Sequence, residues 1–168
     1  MACTQTLAGI SLDCLGNNGG IRKVWLANWS NVGSLTESSG AITAISMLNS
    51  EKFKLYEFAR NTSSMSSNYQ VSAENGTSYV ETDLLMVFQR MDTAKRLEIV
   101  AMAQGLLAAI VEDNNGNKWY LGHDNPVTIN AGDGLTGTAR GDRNGYSVTL
   151  RDESNALPMP FTGTVPTA

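Results

Sequence analysis

The sequence has few of the residues on which catalytic and metal sites depend. Its 168 residues include two cysteines and one histidine: Cys3, Cys14 and His123. A structural zinc site takes four cysteine or histidine ligands, so these three side chains do not complete one. No motif places a nucleophile beside a general base. We therefore expect no enzyme, no cofactor and no metal site, and we favour two separate reduced thiols over a disulfide between the cysteines.

Charge and long apolar runs are also scarce. The chain has 16 acidic and 12 basic residues and a net charge of −4, which gives it no general attraction for the phosphates of nucleic acids. No run approaches the roughly 18 apolar residues of a membrane span. The first residues have neither a basic region nor the apolar core of a secretory signal. We expect no membrane partner and no signal-directed secretion.

Small uncharged residues take the place of the missing charges. Charged residues make up 17% of the chain, against about 25% in an average soluble domain. Serine, threonine and asparagine number 15 each and glycine 16. These residues favour turns and strands with one hydrated face, and they disfavour long helices. The composition predicts a β-rich protein.

Alternation of apolar and polar residues locates the strands. It predicts them at 21–28, 41–48, 52–58, 66–73, 78–89, 106–112, 118–121 and 146–151. Asn75 and Gly76 separate two of these runs and predict a long hairpin, because both residues tolerate a positive φ. The Ser- and Asn-rich residues 61–67 lead into this hairpin, so part of it is expected to project as a loop.

One segment has helical periodicity. Asp92 or Thr93 is expected to cap a helix over 94–104, and Gly105 is expected to end it in the left-handed conformation. Residues spaced at i, i+3, i+4 and i+7 form its predicted apolar face: Leu97, Val100, Ala101 and Gln104.

These elements together predict a mainly β fold, a sandwich or barrel with one packed α-helix over about 92–104, a long β-hairpin and extended terminal arms. The predicted organisation is an N-terminal arm (1–20), a β-rich body (21–154) and an extended C-terminal tail (155–168). Both ends carry glycine or proline and few apolar anchors, so we expect them to be disordered in the free monomer.

Two motifs with familiar ligands lack the context that those ligands need. Residues 132–137 match the G-x-G-x-x-G of dinucleotide-binding proteins, but two more glycines follow where a helix is required, which predicts a flexible loop. Asp113, Asn115 and Asn117 alternate as in a calcium loop, but Lys118 stands where glycine is needed. A hairpin turn is the better interpretation.

One pair of carboxylates shares a strand face. Glu81 and Asp83 lie two residues apart on a predicted strand and therefore point to the same side. Glycosidases use paired carboxylates, but no tryptophan lies nearby in the sequence to line a sugar cleft. We therefore favour a solvated acidic face.

The order of elements between about residues 64 and 151 resembles that of the tail tube, or major tail, proteins of tailed bacteriophages. The resemblance rests on the polar approach at 63–67, the hairpin turn at 74–77, the strand that leads to one capped helix, the return hairpin over 106–121, and the closing strand after Asn144 and Gly145. It is one of architecture, it covers about half of the chain, and residues 1–20 have no match in it.

The resemblance implies a structural virion protein that is assembled in the cytoplasm of a host bacterium. Its subunits would form stacked rings, commonly hexameric, in which the sheets of neighbours join around a channel for DNA. Loops and terminal arms would reach the adjacent ring. The implied partners are other copies of the chain and other tail proteins, with double-stranded DNA only in passage.

The resemblance implies residues that line the channel and residues that contact the adjacent ring. A channel must let DNA slide, and an acidic or neutral lining does not hold the phosphates. The candidate lining residues are Glu74, Glu81 and Asp83. The candidate residues for the inter-ring hairpin are Ser66, Asn68, Asn75 and Gly76.

Two other functions stay open. A head-decoration or head-to-tail connector ring of a phage virion would use the same body without a helical stack. An extracellular carbohydrate-binding β-sandwich would use Trp25, Trp29 and Trp119 as stacking surfaces, although it would need an export route other than a signal peptide.

Overall fold

The computed structural model describes residues 6–167. Within them lie eleven strands and one α-helix: β1 (Ile21–Asn28), β2 (Val32–Ser38), β3 (Ala41–Met47), β4 (Lys54–Glu57), β5 (Ser64–Ser72), β6 (Thr77–Gln89), α1 (Thr93–Gln104), β7 (Leu107–Asp113), β8 (Lys118–Leu121), β9 (Thr128–Leu135), β10 (Gly145–Ser154) and β11 (Met159–Pro160). The predicted mainly β fold with one helix is confirmed. Over this range no helix combines the length and the apolar character needed to cross a membrane.

The strands form two packed antiparallel sheets and a separate hairpin. Sheet I has the order β11-β8-β7-β1-β4, sheet II the order β5-β6-β10-β9, and β2 pairs with β3. Val24 and Val111 of sheet I meet Leu84 and Leu150 of sheet II in the first core, to which α1 adds Met102. Alternate side chains of both sheets thus face each other, as in a β-sandwich.

A second core covers the other face of sheet I. Trp25, Ile110 and Tyr120 point away from sheet II and pack against Ile42 of β3 and Phe161 of the C-terminal segment. Sheet I is therefore buried on both faces. Sheet II has only one face on a core.

The C-terminal tail is extended, as predicted, but it is packed on the body and is not an arm. The strand β11 pairs with β8, and the Thr162 N–H donates to the Ile42 carbonyl at 2.9 Å. The side chains of Phe161 and Val165 are buried. Gly163 permits this close approach, because a Cβ there would collide with the Thr43 carbonyl. These contacts anchor a segment whose prolines alone indicated disorder.

The predicted glycine-rich loop is wrong in its first half, which forms the edge strand β9. Gly132 pairs with Val148 and Gly134 with Tyr146. Glycine weakens an isolated strand, but here β10 supplies the hydrogen-bonding partner, and an edge position tolerates the loss of side-chain packing.

The helix exists as predicted, but its predicted core face is wrong. Leu97 and Val100 are 57% and 41% exposed, and the core is contacted by Ile99 and Met102. Apolar residues occur on every side of α1, so periodicity does not single out one face, and the connection from β6 decides which side is buried.

The prediction for the first end of α1 is confirmed, and the prediction for its last end is wrong. Asp92 is the cap, since its Oδ1 accepts from the Lys95 N–H at 2.8 Å. Gly105 has an extended backbone with φ of −96°, so the predicted left-handed end is wrong. The chain continues directly into β7, which a left-handed residue would redirect.

A cluster of charges joins the β2–β3 hairpin to the body. His123 Nε2 lies 2.7 Å from Glu37 Oε1, and Nδ1 lies 2.7 Å from Asp124 Oδ1. A neutral imidazole has one donor, whereas both nitrogens here face acceptors, which favours the protonated ring. Hydrogen bonds to Glu37 and then Asp124 accordingly raise the pKa of His123, against the opposing effect of burial.

We predict that this cluster stabilises the protein below neutral pH. With a raised folded pKa, its contribution is complete below the unfolded value near 6.5 and disappears as the pH rises through the folded value. His123→Gln should therefore lower the free energy of unfolding at pH 6 by on the order of 0.5–1 kcal/mol, because the side chains are partly exposed, and by less at pH 9. Urea unfolding at both pH values measures this. An equal loss at both would contradict it.

We also predict that the tail is part of the cooperative fold. Phe161→Ala should cost about 3–5 kcal/mol, as large core truncations do. Leu157→Ala, in an exposed part of the same segment, is the matched control and should cost less than about 1 kcal/mol. Urea denaturation gives both values, and similar losses for the two variants would argue against a tail packed in the core.

Candidate assembly and channel surface

Sheet II turns one face to solvent. Strand pairing aligns the outward side chains of its four strands, and this outer face is mostly polar: Ser64, Ser66, Asn68, Gln70, Glu81, Asp83, Asp133, Ser147, Thr149, Arg151 and Glu153. Glu81 and Asp83 lie on it together, as strand alternation requires. Leu85 and Val87 continue this face at its apolar end, where Val87 is buried. The outer face therefore presents hydroxyls, amides and carboxylates around one arginine.

Asp83 is not a free carboxylate. Arg151 lies opposite it on β10 and donates from Nε to Oδ1 at 2.8 Å and from Nη2 to Oδ2 at 2.9 Å. The hydrogen bonds to Asp83 raise the pKa of Arg151 above its already high value. This two-point pair is neutral as a whole, so Asp83 adds no net charge to the outer face.

The net charge of the outer face comes from Glu81 and Glu153. They are direct cross-strand partners, and within residues 6–167 neither takes part in an ion pair. Glu81 accepts from Gln70 Nε2 at 3.2 Å and is the main reason that the pKa of Tyr79 is raised. Like charges opposite each other are unfavourable in a sheet, and the nearby charge of Arg151 offsets part of this repulsion.

The fourth carboxylate on the outer face, Asp133, is compensated as Asp83 is. Asp133 Oδ1 accepts from Ser147 Oγ at 2.6 Å and from Arg143 Nη2 at 2.9 Å. The hydrogen bond from Ser147, followed by the charge of Arg143, lowers the pKa of Asp133. The compensation leaves Glu81 and Glu153 as the unpaired charges.

The predicted hairpin residues separate into two groups. Ser66 and Asn68 lie on the outer face, opposite Asp83 and Glu81. Asn75 and Gly76 lie in the turn between β5 and β6, where Gly76 has a φ of +63°. Glu74 also lies in that turn, beyond the paired strands, and therefore does not join the other two predicted lining residues.

The end of this hairpin carries exposed apolar side chains. Tyr69 and Val71 of β5 are 56% and 72% exposed, on the side opposite the outer face. Val80, the partner of Tyr69, is the buried residue of β6 that lies nearest the hairpin turn. The hairpin thus extends past the core, and its tip offers an apolar surface for another molecule.

Sheet II also has two free edges. Over residues 6–167 its outermost strands β5 and β9 each pair with one strand only, although α1 lies close to β9, and they are nine and eight residues long. Each free edge presents unpaired N–H and C=O groups, which is a template for pairing with another chain.

The arm at residues 6–20 has no helix or strand. Its aliphatic side chains are exposed at 90% or more: Leu7, Ile10, Leu12 and Leu15. The root of the arm is fixed, because Asn115 bonds Asn17 and Asn18 and the Asn114 side chain donates to the Gly19 carbonyl. The sequence predicted the arm but not its row of exposed apolar side chains, although the alternation of apolar and polar residues at 10–14 indicated them.

One of the two cysteines lies on the arm. Cys14 is a free exposed thiol on the arm, and Cys3 lies outside the described residues. In the part of the chain that the structure describes, no three histidine, cysteine or acidic side chains are grouped as metal ligands. Asp113 instead accepts from the N–H groups of Asn115 and Asn117, at 2.9 Å each, which confirms the hairpin turn.

The three tryptophans do not form a stacking surface. Trp25 is buried in the second core. Trp29 donates from Nε1 to the Gly122 carbonyl at 2.8 Å, and Trp119 is partly buried. The carbohydrate-binding alternative therefore loses the feature that motivated it.

No family model matches this chain, and neither a curated protein nor a solved structure matches it. The features of this chain that bear on its function are the fold, the two edges of sheet II, the outer face and the exposed apolar segments.

We predict that the hairpin tip takes part in self-association. Tyr69→Ser with Val71→Ser should change the free energy of unfolding by less than about 1 kcal/mol, because both side chains are exposed, and should weaken self-association. The matched control is Leu48→Ser with Leu157→Ser, at exposed apolar positions away from the hairpin. Sedimentation velocity over a concentration series measures the effect. Equal association by both double variants would contradict this role.

Proposed function

We propose that this chain is a structural virion protein, a subunit that self-assembles into stacked rings and forms a phage tail tube through which DNA passes. The observation that carries the proposal is the asymmetry of sheet II. One face is buried in the core, the other is polar with a small negative charge, and both edges are free.

The free edges supply the contact within a ring. If β5 of one copy lies beside β9 of the next, two different surfaces of the same chain meet. Such a heterologous contact, repeated by rotation, closes into a ring or continues as a helix. The similar lengths of β5 and β9 allow the ladder to form along the whole edge.

The size of the resulting barrel fits a nucleic-acid channel. Six copies with four strands each would give about 24 strands, at a spacing of about 4.8 Å and a tilt of about 40°. The backbone diameter is then about 48 Å, and side chains reduce the open width to roughly 36 Å. Barrels of about 16–18 strands already leave an aqueous channel, so a ring of this size has room for a DNA duplex.

The charge of the outer face suits passage rather than binding. Facing the lumen, it would present hydroxyls and amides, the neutral Asp83–Arg151 pair and the unpaired carboxylates of Glu81 and Glu153. Duplex DNA carries one negative charge per about 1.7 Å, so this lining repels it weakly. The only arginine on the strands of this face is already paired.

Exposed apolar side chains away from β5 and β9 favour a stack over a single ring. The hairpin tip and the arm each expose apolar side chains that an isolated ring contact through β5 and β9 does not use. A head-decoration or connector ring is the second candidate, because it would use the same edges without stacking. In either case the chain would be assembled in a bacterial cytoplasm and would have other virion proteins as partners.

Electron microscopy of the purified full chain in negative stain tests the proposal. Long tubes with a stained axial channel are expected as the concentration rises. Single rings at all concentrations would overturn the tail tube in favour of the connector or decoration ring. Monomers at all concentrations would contradict both.

We further predict that charge reversal on the outer face converts passage into binding. Glu81→Lys with Glu153→Lys should leave assembly intact, since both side chains point outward and pair with no cation, and should create affinity for double-stranded DNA that declines steeply with salt. Glu51→Lys with Glu112→Lys, both outside sheet II, is the control with the same net charge.

An electrophoretic mobility shift on the assembled protein at low and high salt measures this affinity. Equal DNA binding by the two double variants would contradict a channel position for the outer face, because net charge alone would then explain the result.

A further inference from the structure

An uncovered apolar groove lies between β4 and α1. Its volume is about 370 Å³, and its apolar lining consists of Leu55, Tyr56, Phe88, Ile99 and Met102. Tyr56 Oη donates to Glu98 Oε1 at 2.9 Å across the groove, which fixes the strand relative to the helix. The groove is therefore preformed, and no ordering of its walls is needed before something occupies it.

One wall of this groove is a free strand edge. Among residues 6–167 the four-residue strand β4 pairs with β1 alone, so within this range its other edge has unpaired backbone groups. Leu55 on this strand is 46% exposed. An extended segment with alternating apolar residues fits such a site, because its backbone can extend the sheet while its side chains fill the groove.

The arm has the required pattern. In an extended conformation Ile10, Leu12 and Cys14 point to one side, and Ser11 and Asp13 point to the other. Residues 10–13 match the four-residue length of β4. Asp13 is the only charged residue of the arm over residues 6–20, so the segment offered to the groove is otherwise uncharged.

We propose that the arm of one copy docks in the β4–α1 groove of a second copy, with residues 10–13 added as a strand beside β4. In the single chain the arm and the groove are both uncovered although their polarity and length correspond, which points to an intermolecular contact. Each copy would donate one arm and accept another at a different place, so the contact propagates from copy to copy. This inference rests on the proposed self-assembly and names the contact that connects successive rings.

Chemical cross-linking tests the contact directly. The donor carries Cys3→Ser, which leaves Cys14 as its thiol. The acceptor carries Cys3→Ser and Cys14→Ser with Ala94→Cys, in the wall of the groove. A control acceptor has Ala103→Cys on an exposed position of α1 outside the groove. With a short bis-maleimide, the mixture of donor and acceptor should give at least about tenfold more covalent heterodimer than the mixture with the control.

Two results would overturn the proposal. Equal cross-linking with both acceptors would show that the groove is not the site. A chain that carries Cys14 and Ala94→Cys together, and that cross-links only within itself, would place the arm in its own groove.

A pair of arm variants separates this inference from the proposed function. Leu12→Asp should raise the concentration needed for stacking about tenfold, while Ser11→Asp, with the same charge on the other side of the arm, should not. If tubes form equally well with both variants, arm docking is wrong and the tail tube proposal stands. If no tubes form at all, binding of a labelled peptide of residues 6–16 to the full chain, abolished by Leu55→Asp, would still support docking; absence of binding would contradict it.

Discussion

The burial of sheet I on both faces is the constraint on which the rest of the molecule depends. The β2–β3 hairpin and the C-terminal segment cover the face that sheet II leaves open, with Ile42 and Phe161 seated on Trp25 and Tyr120. Sheet I therefore lies in the interior of the protein. Sheet II is left with a hydrated face and with two outermost strands that pair on one side only over residues 6–167, and the proposed assembly would use both of these edges.

The outer face of sheet II carries a neutral ion pair and two unpaired carboxylates. The Asp83–Arg151 pair holds two central strands in register while contributing no net charge. Glu81 and Glu153 face each other, and neither forms an ion pair within residues 6–167, although the charge of the paired Arg151 acts on both. In the proposed channel both carboxylates would repel the phosphates of DNA weakly.

Several elements follow from the sequence because their signals are local. Strands β1 and β8 have the predicted bounds, and Asp92 caps α1 as its position before an apolar run indicates. The same-side placement of Glu81 and Asp83 needed only strand alternation. The pairing of Asp83 with Arg151 and the opposition of Glu81 to Glu153 were beyond reach, because they depend on which strand lies beside β6.

The errors have a common cause in tertiary context. Strand β2 has too few bulky residues to signal itself and is stabilised by pairing with β3. The glycines of β9 indicate a loop until β10 supplies a ladder, and the prolines of the tail indicate disorder until Phe161 enters a core. The buried side of α1 is decided by its connection to β6, since Leu97 and Ile99 are equally apolar. Contacts distant in sequence override local preference in each case.

The central claim is that the outer face of sheet II lines a channel formed by joined sheets. A cryo-electron microscopy reconstruction of the assembled protein tests it most directly. The account predicts a closed ring in which β5 of each copy pairs with β9 of its neighbour and in which Glu81 and Glu153 face the lumen. An assembly with these two side chains on its exterior, or with β5 and β9 unpaired, would contradict it.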